Sequence, residues 1–282
     1  MKKILFPTDF SLTSLNSMPY ALEIANRSKA AIYLLNVYSV TIYDPNMPAE
    51  LLMSATEQAE KTSKESLEKV AKDFEKAMSD NNIQGVAIDI QSKQGLVVDE
   101  IINFVSENDI DLVIMGTTGA SGMLEKIFGS NASTVIEKTP TPVLAVPDEA
   151  KYKGITNIVY ATDLQESETN EINSIAEFAG IFDAEMTLLH VCDKSEEALI
   201  ENKNELYEDL RKNINYPKVN FELIKNEDVV DGIDSFVKAN KVDIIGMASH
   251  KRSLLGRIFS KSLTKSMVYH CHIPLLALER DD

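Results

Sequence analysis

Glycine and serine residues suited to phosphate binding follow an apolar segment in the first half of the chain. Gly116 and Gly119 end this segment, and nine residues separate Gly119 from Gly129 and Ser130. Glycine lets the backbone approach a ligand closely, and a helix N-terminus offers unpaired N–H groups with a favourable dipole. A strand before this loop and a helix after it would make a site for an anionic group. A glycine-rich turn that binds nothing is the alternative interpretation.

A carboxylate follows the first apolar segment of the chain. Asp9 comes after residues 3–8 (KILFPT), where a parallel sheet would present the carboxyl end of its first strand. Ligands of such sheets bind at these strand ends, and ribose hydroxyls are natural partners for a carboxylate there. Asp9 as the N-cap of a helix beginning near Leu12 is the second interpretation, and the two roles are compatible.

Alternating strand-like and helix-like segments must position these residues. The strand-like segments are mostly continuous runs of Val, Ile and Leu, which is typical of a parallel sheet covered on both faces. Alternating elements imply right-handed crossovers and a doubly wound sheet. The predicted strands are 3–8, 31–37, 86–92, 111–116 and 142–146, and the predicted helices are 13–28, 49–79, 97–108 and 130–138.

The second half of the chain repeats the first. Residues 3–9 (KILFPTD) match 157–163 (NIVYATD), and residues 32–37 (IYLLNV) match 186–191 (MTLLHV) at the same spacing. Two further pairs of segments follow in the same order: 110–115 with 242–247, and 141–146 with 273–278. Such ordered repetition predicts two copies of one α/β domain.

The limits of the two domains follow from this duplication. We predict one domain over residues 1–147, a polar linker over 148–154 and a second domain over 155–282 with a shorter second helix near 194–213. The segment between Tyr38 and Ala49 has two prolines and no periodicity. It is interpreted as a surface loop, with a lid over the strand ends as the alternative.

The motif Gly-x-x-Gly, nine residues, Gly-Ser resembles the ATP-binding motif of the universal stress protein A family. Essentially the whole chain takes part in this resemblance, including the opening Pro-Thr-Asp and the run 141–146 (TPVLAV). The resemblance implies two repeated doubly wound α/β domains. Each would be a five-stranded parallel sheet flanked by helices, of the adenine nucleotide alpha hydrolase-like, Rossmann-like kind.

The resemblance also implies a role for each matching residue. Asp9 would accept hydrogen bonds from the ribose, Pro7 and Thr8 would shape that edge, and Val37 would meet adenine through its backbone. The phosphate loop would be formed by a set of residues from two segments: Met115, Gly116, Gly119, Gly129, Ser130 and Asn131. The cofactor implied is ATP, with Mg²⁺ arriving on the nucleotide.

The second repeat has lost this loop. Ala248 and Lys251 stand in place of Gly116 and Gly119, and Ser260 and Lys261 stand in place of Gly129 and Ser130, with a spacing one residue shorter. Side chains would then fill the space that phosphates need, although Asp163 is retained. We therefore expect one nucleotide per chain, bound in the first domain.

Two other clusters in the second half are interpreted as structural. The basic cluster Lys251, Arg252, Arg257, Lys261 and Lys265 is read as a solvated loop, with a site for an anion or an acidic protein as the alternative. The triplet 270–272 (HCH) has no second cluster of Cys or His with which to complete a tetrahedral metal site. We predict no metal site and no catalytic residues.

Composition excludes several classes of partner. The formal charge of −16 argues against nucleic acid and anionic lipid surfaces, and no apolar run of about 18 residues is present to span a membrane. Two cysteines outside any CxxC pair suit a reducing cytoplasm. Neither G-x-x-x-x-G-K-[ST] nor an opening G-x-G-x-x-G occurs, so Walker-type and Rossmann dinucleotide sites are not supported.

Three functions are weighed on these grounds. The leading one is an ATP-binding regulatory protein of the stress response; the others are an interaction scaffold of the same fold and a slow ATPase. The family resemblance suggests that the final strands, Val143–Val146 and Pro274–Leu278, pair edge to edge and make an intramolecular pseudo-dimer. Protein partners and a further homodimer are compatible with the sequence.

Overall fold

The fold is described from a computed structural model, in which residues 1–40, 48–117, 130–164, 168–192, 202–249 and 273–279 are described. The strands in these residues are β1 Lys3–Pro7, β2 Ala31–Tyr38, β3 Ile88–Gln94, β4 Leu112–Gly116, β5 Val143–Val146, β6 Asn157–Ala161, β7 Glu185–Cys192, β8 Val219–Lys225, β9 Ile244–Ser249 and β10 Leu275–Glu279. The helices are α1 Leu12–Asn16, α2 Met18–Ser28, α3 Ala49–Asp80, α4 Val97–Asn108, α5 Ser130–Lys138, α6 Thr169–Phe182, α7 Lys203–Lys212 and α8 Val229–Asn240.

The chain divides into two compact units, and the first holds the described residues up to Thr141. Its strands lie in the order β3-β2-β1-β4, and each neighbouring pair is parallel. The residues of β1 and β4 are almost all buried, as the continuous apolar runs predict. The chain thus moves outward from β1 to β3 and then returns to the other side of β1 at β4.

The long helix α3 shows how one apolar stripe fixes a helix to this sheet. Its buried residues follow a helical spacing: Ser63, Leu67, Val70 and Phe74. The ring of Phe74 packs edge-on against Phe6 of β1, with centroids 5.1 Å apart. The stripe begins at Ser63, so the C-terminal half of α3 provides its buried face.

The prediction of one helix over residues 13–28 is wrong. The structure has two helices there, α1 and α2, with Ser17 between them. Pro19 lies in the first turn of α2, where its missing N–H does no harm, but a continuous helix would need that N–H for Leu15. The break makes α1 a separate short helix beside the end of β1.

The second unit begins at Pro142 and contains the remaining strands. Strands β10, β9, β6, β7 and β8 form five neighbouring parallel strands in that order. This order repeats the path of the first unit, because β9 returns beside β6 as β4 returns beside β1. The predicted fold class, repeated doubly wound α/β domains, is confirmed.

The last strand of the first repeat lies in the second unit. Strand β5 pairs antiparallel with β10, with Leu144 opposite Leu276 and Ala145 opposite Leu275. The expected edge-to-edge pairing of the two final strands is therefore confirmed. The first unit ends at Thr141, so β5 belongs to the same unit as its partner strand β10.

The strand order defines one place for a ligand in each repeat. In a doubly wound sheet, ligands bind at the carboxyl ends of the strands where the winding reverses. That reversal falls between β1 and β4 in the first repeat and between β6 and β9 in the second. None of the described helices is long and apolar enough to span a membrane.

Candidate functional site

The turn after β1 is built around Thr8. Its N–H donates to Leu35 O at 2.8 Å, the last backbone bond between this segment and β2. Its buried hydroxyl lies 3.0 Å from Ser14 Oγ and accepts the Phe10 N–H at 3.0 Å. Phe10 has a left-handed backbone, with a φ of 66°. Thr8 therefore turns the chain away from the sheet and ties the turn to α1.

Asp9 is exposed at the tip of this turn. Its Oδ1 accepts the Ser11 N–H at 3.1 Å and the Ser11 hydroxyl at 2.6 Å. Ser11 is the N-cap of α1, because its side chain accepts the Ser14 N–H. The interpretation of Asp9 as the N-cap is thus wrong; Asp9 holds the capping residue and keeps its own carboxylate at the surface.

Pro7 and Val37 lie where β1 stops and β2 continues. The paired register of the two strands ends at Pro7 opposite Leu35. The ladder alternates: Ala31 and Leu35 bond toward β1, and Ile32 and Tyr38 bond toward β3. Val37 is on the β1 side of this alternation, so its backbone N–H and C=O point past the end of β1.

Gly116 ends β4 beside this turn, and the structure gives a reason for glycine that the sequence does not. A Cβ at position 116 would lie 2.8 Å from Thr13 O and 3.1 Å from Ser14 Cα, in the backbone of α1. Met115 is 7% exposed, so its side chain belongs to the core. Gly116 therefore lets α1 pack directly on the end of β4.

Ser130 and Asn131 are exposed at the first turn of α5. The buried face of the helix is formed by three residues: Ala132, Val135 and Ile136. Gly119 and Gly129 lie in 118–129, outside the described residues. Most of the segment between Tyr38 and Ala49, for which a loop or lid was predicted, also lies outside them. Pro7, Thr8, Asp9, Val37 and Gly116 are brought together at the ends of neighbouring strands, and the binding roles of all the site residues remain predictions.

Three residues of this site were missed by sequence reasoning. Ser11 and Ser14 hold the turn through their hydroxyls, and Asn36 donates to Thr8 O at 2.7 Å. The one available signal was Asn36, a polar residue inside an apolar strand that is 7% exposed. Ser11 and Ser14 were not recognised, because the capping role at the predicted helix start near Leu12 was considered only for Asp9.

The second repeat keeps the same turn. Thr162 N–H donates to Leu189 O at 2.9 Å, and Thr162 Oγ1 accepts the Leu164 N–H at 2.9 Å. Leu164 has a φ of 60°, the left-handed conformation of its counterpart Phe10. His190 replaces Asn36, with Nδ1 lying 2.8 Å from Thr162 O. The retained Thr-Asp therefore preserves backbone geometry in both repeats.

A buried carboxylate distinguishes the second turn. Glu168 occupies the position of Ser14 and is 3% exposed. It accepts hydrogen bonds from Thr162 Oγ1 at 2.5 Å, from Asp163 N–H at 3.2 Å and from the Tyr160 hydroxyl at 3.2 Å. Burial raises the pKa of Glu168 from 4.5 to about 7, and burial together with the Glu168 charge raises the pKa of Tyr160. The second turn thus contains a titratable acid of the protein itself.

Further substitutions follow on β9. Ala248, which replaces Gly116, is 6% exposed within the second unit. The predicted substitutions Lys251, Ser260 and Lys261, the rest of the basic cluster and the triplet 270–272 lie outside the described residues. Within the described part of the chain, no group of three or more His, Cys, Asp or Glu side chains could hold a metal ion.

The winding and the Thr-Asp turns define a two-repeat α/β protein in which each turn lies beside a strand switch point. A sequence model of the universal stress protein family matches residues 1–147 and again residues 154–279. The chain belongs to the universal stress protein family, as the sequence motifs imply.

Individual relatives agree with this assignment. Universal stress protein MJ0531 of Methanocaldococcus jannaschii is 34% identical over 151 residues, an alignment that covers 53% of this chain and 84% of that protein. Universal stress protein Slr1230 of Synechocystis is 21% identical over 290 residues, covering 98% of this chain and 99% of that protein. The fold also matches the crystal structure of a universal stress protein from Archaeoglobus fulgidus, with a TM-score of 0.74, 20% identity and coverage of 99% and 98%.

Proposed function

We propose that this chain is an ATP-binding regulatory protein of the stress response that holds one nucleotide, in its first repeat. One contrast carries the proposal: the first repeat presents an exposed Asp9 at the strand switch point, whereas the second repeat fills the equivalent turn with the buried carboxylate of Glu168. In the first repeat the corresponding position holds only the neutral hydroxyl of Ser14, whereas Glu168, when ionised, disfavours an anionic ligand at the second turn.

The described residues divide the nucleotide among them. Asp9 is proposed to accept hydrogen bonds from the ribose hydroxyls, since its carboxylate lies at the surface beside the strand ends. The backbone N–H and C=O of Val37, which point past β1, are proposed to bind adenine. Gly116 and the N-terminus of α5, with Ser130 and Asn131, are proposed to face the phosphates, as a helix N-terminus favours anions.

Binding rather than turnover is the proposed role. Phosphoryl transfer needs positioned charge near the phosphates and a metal-binding acid. The carboxylate nearest the end of β1, Asp9, is already engaged with Ser11. We propose that Mg²⁺ arrives with ATP, that hydrolysis is slow if it occurs, and that the nucleotide alters contacts with protein partners in the cytoplasm. The paired final strands are proposed to act as an internal pseudo-dimer.

Isothermal titration with ATP and Mg²⁺ tests the proposal. We expect one ATP per chain and an affinity that falls about tenfold or more in Asp9→Ala, the loss typical of charge-assisted hydrogen bonds. Asp163→Ala, at the same turn of the second repeat, is the matched control and should bind as the unchanged protein does. Two equivalent sites would contradict the one-site assignment, and no heat in the unchanged protein would favour an interaction scaffold.

A further inference from the structure

Asn36 is an amide buried in the apolar strand β2, where a side chain with hydrogen-bonding groups must find partners. Its Nδ2 donates to Thr8 O at 2.7 Å. This carbonyl belongs to the peptide that joins Thr8 to Asp9. Asn36 therefore binds the carbonyl group that is bonded directly to the nitrogen of Asp9, the proposed ribose-binding residue.

The amide takes the place of a backbone partner. A parallel ladder continued beyond Thr8 N–H and Leu35 O would place the Val37 N–H on Thr8 O. The register instead ends at Pro7, and the Asn36 side chain donates to that carbonyl. As a result the turn can leave the sheet while its carbonyl remains satisfied, and the backbone of Val37 is released from the ladder.

A chain of hydroxyl groups fixes which way the amide faces. Ser63 Oγ donates to Asn36 Oδ1 at 2.7 Å, and Ser92 Oγ donates to Ser63 Oγ at 2.7 Å. Because the oxygen of the amide is already an acceptor for Ser63, its nitrogen must face Thr8. Ser63 is 4% exposed, so solvent does not compete at this bond. The direction of the amide is thereby set from α3 and β3.

The second repeat shows that this position serves the carbonyl. His190 stands in place of Asn36, and its Nδ1 lies 2.8 Å from Thr162 O, the carbonyl that corresponds to Thr8 O. The side chain differs, but the contact is retained. An amide is used in the repeat whose Asp9 remains exposed, and a ring in the repeat whose turn is filled by Glu168.

We propose that Asn36, oriented by Ser63, is a positioning residue that holds the Thr8–Asp9 peptide so that Asp9 faces the ribose, and that it thereby sets the preference of the site for ribonucleotides. The inference rests on the proposed function. Without the Asn36 bond, the peptide can rotate and the carboxylate no longer meets the ribose hydroxyls. Val37 lies on β2 and not on the turn that carries Asp9, so its proposed contacts with adenine should change less than the contacts of Asp9 with the ribose.

The test compares two nucleotides rather than one. Isothermal titration of the full chain with ATP and with 2′,3′-dideoxy-ATP, both with Mg²⁺, should give a preference for ATP of about tenfold or more. In Asn36→Asp, which removes the donor at nearly constant size, the preference should fall to within about twofold of unity, because ATP loses more affinity than dideoxy-ATP does. A role in stability alone would weaken both ligands equally.

A second variant tests the inference if Asn36→Asp does not fold. Ser63→Ala removes the donor to Asn36 Oδ1, together with the acceptor of Ser92 Oγ, and should reduce the preference to an intermediate value. Ser28→Ala, which removes a hydroxyl bonded to Ile24 O within α2, is the control and should keep the full preference. An unchanged preference in the folded variants, or no preference in the unchanged protein, would overturn the inference alone. Absence of binding to either nucleotide by the unchanged protein would overturn the proposed function as well.

Discussion

Ser14 and Glu168 hold the same position in the two repeats, each against the hydroxyl of a Thr-Asp turn. Ser14 Oγ lies 3.0 Å from Thr8 Oγ1, and the Glu168 carboxylate accepts the bond of Thr162 Oγ1 at 2.5 Å. A neutral hydroxyl in one repeat thus corresponds to a titratable acid in the other. The exchange changes the chemistry of the turn, while the left-handed conformation of Phe10 is retained at Leu164.

Transferring the acid to the first repeat should weaken its affinity for nucleotide. In Ser14→Glu we expect ATP to bind at least about tenfold more weakly, because a carboxylate beside the Thr8 turn repels the phosphates and competes for Thr8 Oγ1. Titration calorimetry measures the affinity, and circular dichroism checks that the variant is folded. Ser106→Glu, on the exposed face of α4, adds the same charge elsewhere and should bind normally. A folded Ser14→Glu with unchanged affinity would contradict the electrostatic account.

The stability of the protein should depend on the ionisation of Glu168. Since burial raises its pKa in the folded chain to about 7, the fold retains a proton that the unfolded chain loses near 4.5. The contribution of Glu168 is therefore fully present below about pH 4.5 and is lost as the pH rises to about 7, by an amount on the order of 3 kcal/mol. The groups facing it are Tyr160, Asp163 and the rest of the Thr162 turn.

Glu168→Gln removes this titration and keeps the size of the side chain. Urea unfolding at several values between pH 5.5 and 8 should show the variant gaining stability relative to the unchanged protein as the pH increases. Glu177 is an exposed residue of helix α6, which follows Glu168. The pH dependence of stability of Glu177→Gln should run parallel to that of the unchanged protein. Parallel curves for Glu168→Gln would show that the carboxyl is not protonated in the fold.

Gly116→Ala should destabilise the protein even without ligand. The added Cβ would meet the backbone of α1 at 2.8 Å, and we expect the free energy of unfolding to fall by about 1–3 kcal/mol. Gly180→Ala, within helix α6, is the matched control, since the atom nearest to the added Cβ is Tyr216 Cε2 at 3.7 Å. That change should stabilise the protein by about 0.5–1 kcal/mol. Equal effects of the two changes on urea unfolding would contradict the close approach.

The antiparallel pair Leu144 and Leu276 should behave as one unit of packing. Both are buried, and each change to Ala should lower the free energy of unfolding by about 2–5 kcal/mol. Because the residues face each other across β5 and β10, the double variant should depart from additivity by about 0.5 kcal/mol or more. Leu276→Ala combined with Val219→Ala, which lies on β8 beyond three intervening strands, should be additive. Additivity in both cycles would refute the contact.

The continuous apolar runs predicted the strands to within two residues, and the repeat predicted the winding of both units. The reasons for individual residues were harder to predict, since they depend on contacts between distant segments. Gly116 could be assigned to a ligand from its motif, but its close contact is with Thr13, which only the packing of α1 shows. Asn36 could be seen as polar, but its partner is 28 positions away. The burial of Glu168 could not be predicted from the sequence, because it depends on the hydrogen bonds from Tyr160 and Thr162.

The pairing of β5 with β10 also removes strand edges at which another chain could add. It occupies an edge of each final strand, while β3 is an end strand of the first unit and β8 an end strand of the second. Each carries a carboxylate and an ammonium group: Asp89 and Lys93 on β3, Glu222 and Lys225 on β8. Charged side chains on a terminal strand oppose the docking of another strand, so β3 and β8 disfavour edge-to-edge association.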